Sequence, residues 1–476
     1  MDLENVKPDL ATKEFLAVVL AGFGDALVPL TSDYGDEPCP KALLPVANKP
    51  LIEYVLAWIE RSGIHDILII CPTLHRSSIY HHIHSDMFSS SLRIDLQTYE
   101  ESEEDNAGTC TVLRHFSSRI TEDFIVVPCD FLPPSDLPLS LLLDKFRVDA
   151  LSEGCLATTC WYQPNPPEKI SFIEEWGPPP PTFPIVWDPS SGTLLHVDTP
   201  DDQDRNPEDI DLQLSMLSKF PHTRLCYNME DSHVYVCRRR VLDLLHEKPH
   251  LSSLREEFLP WLCKDQYRRP KRRKTLSESS SSRRSHFQFL SLRHSSLNNS
   301  SLDLDFSMEH ASSPAKIGIF VPRGEAPVRI NTPQKFYEMS RRILSSTVYS
   351  LPTNAKDRSL IDAKAQISSD SIIGHSSQIS ERATIKKSVV GRHCVIGKMV
   401  KIVGCILFDH CVIEDGAKLD GCILGKSTLV GAKAELIRCI TQAGYEVGAG
   451  ESAKGEKMEV SDWMATPGEG EDLAAS

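Results

Sequence analysis

The sequence predicts an α/β domain built on a mostly parallel sheet, followed by a parallel β-helix. Three observations carry this reading. Residues 14 to about 265 alternate short β-branched runs with helical patterns, the texture of strands linked by crossover helices. From Ile361, isoleucine recurs every six residues, at Ile361, Ile367, Ile373, Ile379 and Ile385. From residue 373 a 17-residue period takes over, divided six, six and five. A repeat this short cannot bury its apolar positions alone, so successive repeats must stack as coils.

The elements follow in order. Residues 1–13 form an N-terminal tail, and 14–355 the first domain. Within it "EFLAVVLAGF", "HDILIICP" and "DFIVVPCDF" read as buried strands. Between the first two, Leu51, Ile52, Val55, Leu56 and Ile59 share one helical face, with Pro50 before and Gly63 after as boundary signals. Residues 266–314 are rich in serine and basic residues. Such a composition buries too little surface to offset its ordering entropy, so a disordered basic insertion is expected there. "KIGIFVPRGEAPVRINTPQKFYEMSRRIL" resumes the strand-then-helix texture, so the insertion interrupts the first domain near its end.

Residues 356–450 form the repeat domain, with rows beginning at 373, 390, 407 and 424. Six-residue spacing gives three flat sides per coil, each turning one aliphatic residue inward. Cys405, Cys422 and Cys439 share one column; Cys394 and Cys411 share another, which Thr428 continues. Small residues suit a narrow interior, where cysteine behaves as a small hydrophobe. His393 and His410 stack at an outward position, where an acyl-transfer base is the sharper alternative to a plain surface column. Residues 451–476 read as an acidic tail.

Composition excludes several classes. The formal charge of −15 over 476 residues argues against wholesale nucleic-acid or anionic-membrane binding, and no specific DNA binding is expected. No apolar run approaches the roughly 20 residues a spanning helix needs. The start, "MDLENVKPDLATKEF", lacks the apolar core of a signal peptide. The 14 cysteines are scattered without a Cys-x-x-Cys pair, so reduced thiols in the cytosol and no metal site are expected.

The stretch "LAGFGDALVPLTSDYGDEPCPKALLPV" carries the chemistry. A strand ending in a glycine-rich turn aims backbone N–H groups at phosphate oxygens. This loop, the Pro-Lys after it and the repeat domain together resemble sugar-1-phosphate nucleotidyltransferases. Their pattern reads Gly-Gly-x-Gly-Thr-Arg-Leu, then Pro-Leu-Thr, then Pro-Lys-x-Leu-x-Pro-Val. Gly22, Gly24, Leu27, Pro29, Leu30, Thr31, Pro40, Lys41, Leu44, Pro45 and Val46 match; Phe23, Asp25 and Ala26 depart. In the enzymes the lost arginine grips the triphosphate. An anion about 4 Å from a phosphate costs on the order of 4 kcal/mol at an effective dielectric near 20. Phe23 is expected to add steric obstruction. Lys41 and Asp130 stand where the family keeps a phosphate-binding lysine and a metal-binding aspartate, and residues 107–116 echo its base-contacting loop. Gly22, Gly24, Lys41 and Asp130 are therefore the candidates for a vestigial nucleotide site, with no catalytic residue and no cofactor expected beyond residual nucleotide binding.

"KALLPVANKPLIEYVLAWIERSGI", "NMEDSHVYVCRRRVLDLL" and "RINTPQKFYEMSRR" resemble the gamma-subunit family of the guanine-nucleotide exchange factor for eukaryotic initiation factor 2. The resemblance covers nearly the whole chain outside 266–314. It implies a nucleotidyltransferase-like, Rossmann-type domain followed by a left-handed β-helix. It also implies a non-catalytic role beside an epsilon-like catalytic subunit and other subunits of a complex that engages initiation factor 2. The epsilon type continues into a helical-repeat exchange domain, which this chain is expected to lack. The alternatives are an active GDP-mannose-type pyrophosphorylase, or a regulatory pseudoenzyme bound to one.

Overall fold

The computed structural model describes residues 14–459 except 32–38, 86–90, 101–107, 135, 153, 165–175, 178–181, 201–209, 211, 268–315, 347–351 and 353. The N-terminal tail, nearly all of the basic insertion and the tail beyond residue 459 lie outside the described residues.

Ten strands form the main sheet: β1 (Phe15–Leu20), β2 (Asp66–Pro72), β3 (Arg93–Tyr99), β4 (Asp123–Pro128), β5 (Cys155–Tyr162), β6 (Ile185–Asp188), β7 (Thr193–Val197), β8 (Arg224–Cys226), β9 (Glu230–Cys237) and β10 (Lys316–Phe320). Their spatial order is β8-β6-β7-β10-β5-β9-β4-β1-β2-β3. The three strands read from sequence, β1, β2 and β4, are there and pair parallel, with β3 outside β2. The expectation of a mostly parallel sheet holds for this half; in the other half only β5 and β10 pair parallel. β9 runs antiparallel to both β4 and β5, and β6, β7 and β8 add further antiparallel pairs. The helix Leu51–Arg61 buries Leu51, Ile52, Val55, Leu56 and Ile59 as its periodicity requires, and Trp58 as well. Two clusters, one on each sheet face, form the core.

The described residues of the first domain stop at Tyr267 and resume at Lys316. Gln266 and Tyr267, assigned to the insertion by composition, are instead buried parts of the domain. Gln266 Nε2 donates to the Leu194 carbonyl at 2.7 Å, and its Oε1 accepts from Ile317 N–H. The glutamine thus ties both ends of the interruption together.

In the repeat domain three parallel sheets of six, six and five strands stack as the sides of a prism. Ile379, Ile396, Ile413, Val430 and Val447 form one inward column, and all are buried. Corners recur at left-handed backbone positions, for example His393, Met399, Gly404 and His410, spaced six, five and six. The histidines thus occupy corners, and their exposed rings stack at 5.1 Å. The coils run to Met458, past the expected boundary at 450. Ala453 and Met458 bury in the last coil, so a core residue every five or six positions suffices even in "ESAKGEKME".

Cys405, Cys422 and Cys439 are fully buried and free. Burial pushes the Cys422 thiol well above its usual range, and thiolate is the reactive form. In the native chain all three are expected to resist a thiol reagent, while half-buried Cys226 reacts first. Labelling in native buffer and in urea, read by peptide mass spectrometry, checks this; fast native labelling of all three would overturn the register.

Candidate nucleotide-binding site

The first domain's strand order reverses between β1 and β4, where open α/β sheets form a crevice at the strands' C-terminal ends. Two loops meet there. Gly22 to Gly24 follow β1, and Asp130 follows β4. Gly24 has φ +93°, and a Cβ on it would sit 3.1 Å from Cβ and Cδ of Lys41. Its glycine is needed both for conformation and for close packing on the lysine stem. A Cβ on Gly22 would meet nothing within 4 Å, so nothing in this geometry demands a glycine there. Asp25 and Ala26 are exposed. Phe23 lies half-buried against His75, ring centroids 5.6 Å apart.

Lys41 and Asp130 come together directly. Lys41 Nζ lies 2.5 Å from Asp130 Oδ2, with side chains 10% and 1% exposed. Arg329, not anticipated, donates through Nε to both Asp130 oxygens at 3.1 Å. Burial pushes the Asp130 carboxyl up, but Arg329 and Lys41 more than reverse this and hold it at about 2. The ammonium expected to meet a phosphate therefore meets a carboxylate of its own chain.

A second layer surrounds this triad. Glu230 accepts from Tyr162 Oη at 2.9 Å and from Lys335 Nζ at 2.8 Å. Asp231 accepts from Tyr235 Oη at 2.7 Å, and Arg255 Nε lies 3.2 Å away. Arg255 also covers the Trp161 ring at 5.0 Å. His233, at φ +56°, is held neutral: burial first, then the Arg329 and Arg255 cations, push its pKa well down. Each of the three carboxylates is thus ion-paired within the chain.

The segment proposed as a base-contacting loop is engaged elsewhere. Its helix Thr109–His115 begins where a Cβ on Gly108 would lie 2.3 Å from the Ser252 carbonyl oxygen. Arg114 donates to the carbonyls of Lys248 and Leu251 at 3.1 and 3.0 Å.

The glycine loop and its continuation also build the contact between domains. Leu27, Leu30, Leu44, Val46 and Leu51 share one buried cluster with Val389, Ile406, Ile423 and Ile440, the outward column of one β-helix side. Asn48 Nδ2 donates to the Val390 carbonyl at 2.7 Å. Tyr337 Oη donates to the Gly404 carbonyl at 2.8 Å, and Trp176 Nε1 to that of Arg438 at 2.7 Å. Each of the three β-helix sides has a distinct character. A second is charged outside, with Lys401, Lys418 and Glu435 exposed. The third carries Val395, Val412 and Leu429, half-buried or exposed.

Comparison with known proteins agrees with this division. The Nucleotidyl transferase family matches residues 16–170, and the EIF2B subunit epsilon LbH domain matches 354–452. The chain is similar to translation initiation factor eIF2B subunit gamma of Schizosaccharomyces pombe, 32% identical over 257 residues, covering 54% of this chain and 52% of that one. The Caenorhabditis elegans eIF2B subunit gamma is 28% identical over 255 residues, 53% of this chain and 59% of its own. That of Dictyostelium discoideum is 24% identical over 378 residues, 74% and 82%. The matched region thus spans about half to three-fifths of the first two relatives.

Proposed function

From a chain that joins a nucleotidyl transferase domain to a left-handed β-helix of the EIF2B subunit epsilon LbH type, we propose a non-catalytic subunit of the guanine-nucleotide exchange factor for initiation factor 2. It acts in the cytosol, supporting an epsilon-type catalytic subunit within a larger complex that engages initiation factor 2. The relatives' names support membership in such an assembly. Among the described residues no helix is long and apolar enough to cross a membrane.

One observation carries the non-catalytic reading. Lys41, the ammonium that would meet a triphosphate, is paired with buried Asp130 instead, while the residues just past the glycine turn pack on the β-helix through Leu27, Leu30, Leu44 and Val46. Gly22, Gly24, Lys41 and Asp130 are accordingly a remnant site that retains at most weak nucleotide binding and needs no cofactor. The aliphatic row Val395, Val412 and Leu429, left half-buried or exposed among the described residues, suits the epsilon-type partner's contact.

The purified chain is expected to show no pyrophosphate exchange with magnesium, nucleoside triphosphates and a panel of hexose 1-phosphates. Turnover near 1 per second, ordinary for an enzyme, would instead favour the pyrophosphorylase reading.

A further inference from the structure

The resemblance to nucleotidyltransferases nominates Asp130 for a metal, and its surroundings do not fit one. A magnesium ion needs carboxylate oxygens at about 2.0–2.1 Å, near-octahedral geometry and room for several waters. Asp130 is 1% exposed, both oxygens lie 3.1 Å from Arg329 Nε, and Oδ2 also binds Lys41. Among the described residues no second carboxylate is available to share the charge. Glu230 and Asp231 are bound to Lys335 and Arg255, and no group of three metal-ligating side chains is found among the described residues.

Arg329 is fixed in place by the chain that brings it. Val328–Arg329 pairs antiparallel with Phe131–Leu132, setting Arg329 opposite Phe131. The next residue, Ile330, donates its N–H to the Asp130 carbonyl at 2.9 Å. Backbone and guanidinium therefore grip the same residue from two directions.

We propose that Arg329 is the resident cation of this pocket. It occupies the Asp130 carboxylate that a divalent ion would need, and so closes the site to metal-dependent chemistry independently of Asp25 and Ala26. This rests on the non-catalytic reading and adds the residue that enforces it. The geometry makes the exclusion reversible by one change. Arg329→Asp would replace the cation by a second carboxylate beside Asp130, on a backbone already held there by the ladder.

The test is titration of the full-length chain with Mn²⁺ alone, followed by electron paramagnetic resonance of the free ion. Wild type and Arg329→Lys should show no Asp130-dependent site. Arg329→Asp should gain one bound Mn²⁺, about tenfold or more tighter than any site in wild type, since the charge beside the carboxylate changes by two units. Adding Asp130→Asn should remove it. If Arg329→Asp does not fold by circular dichroism, neutral Arg329→Asn carries the same test with a smaller gain. Asp130-dependent Mn²⁺ binding by wild type would overturn the inference, as would a folded variant that gains no site. The non-catalytic reading fails separately, on pyrophosphate exchange by wild type, whatever the Mn²⁺ result.

Discussion

Ile396→Asp is expected to unfold the β-helix, whereas Val395→Asp, one residue earlier on the same strand, should be nearly silent. Ile396 is fully buried between Ile379 and Ile413 of adjacent coils, while Val395 is 40% exposed. A carboxylate at 396 must either ionise in an apolar interior of aliphatic residues and cysteines or take up a proton there. Losing the buried isoleucine and burying an unpaired polar group together exceed about 4 kcal/mol. Exposed substitutions away from special features stay within about 0.5 kcal/mol. Urea unfolding of the full chain, followed by circular dichroism, separates the two. Equal effects, or a silent Ile396→Asp, would mean that the inward register is wrong.

Asp130→Ala should destabilise the first domain by about 3–5 kcal/mol, the usual consequence of removing one partner from a buried ion pair. Lys41 would be left 10% exposed without its carboxylate, and Arg329 would lose both of its Asp130 contacts. Replacing all three by apolar residues of similar volume should recover most of the loss, because no charge is then stranded. Thermal unfolding of the single and triple variants measures both effects. A neutral Asp130→Ala would show that the triad contributes little to the fold, and a triple variant as unstable as the single one would point to packing.

The repeat domain was legible because its determinants are local. Inward position, corner and cysteine column all recur within 17 residues, so no distant contact is needed to read them. Its end was not legible, since only the small Ala453, between Ser452 and Lys454, and then Met458 mark the inward positions of the last coil. In the first domain, a strand buried on both faces reads alike whether its neighbours run parallel or antiparallel. That is why β1, β2 and β4 were found while the antiparallel β9 between β4 and β5 was not foreseen. At the site, Lys41 and Asp130 stood out through their motif and local context. Arg329 did not, because it reaches Asp130 across 199 positions and nothing in "APVRINTP" names its partner. Phe23 stood out as an obstruction, and the structure seats it against His75.

Affinity purification of the full-length chain at moderate salt, with bound proteins identified and quantified by mass spectrometry, tests the proposed role most directly. A stable interface commonly buries about 1,200–2,000 Å², enough to survive washing. The expected result is stoichiometric recovery of an epsilon-type eIF2B subunit, with further subunits of that factor at lower yield. Recovery of a sugar nucleotidyltransferase, with no eIF2B subunit present, would contradict it.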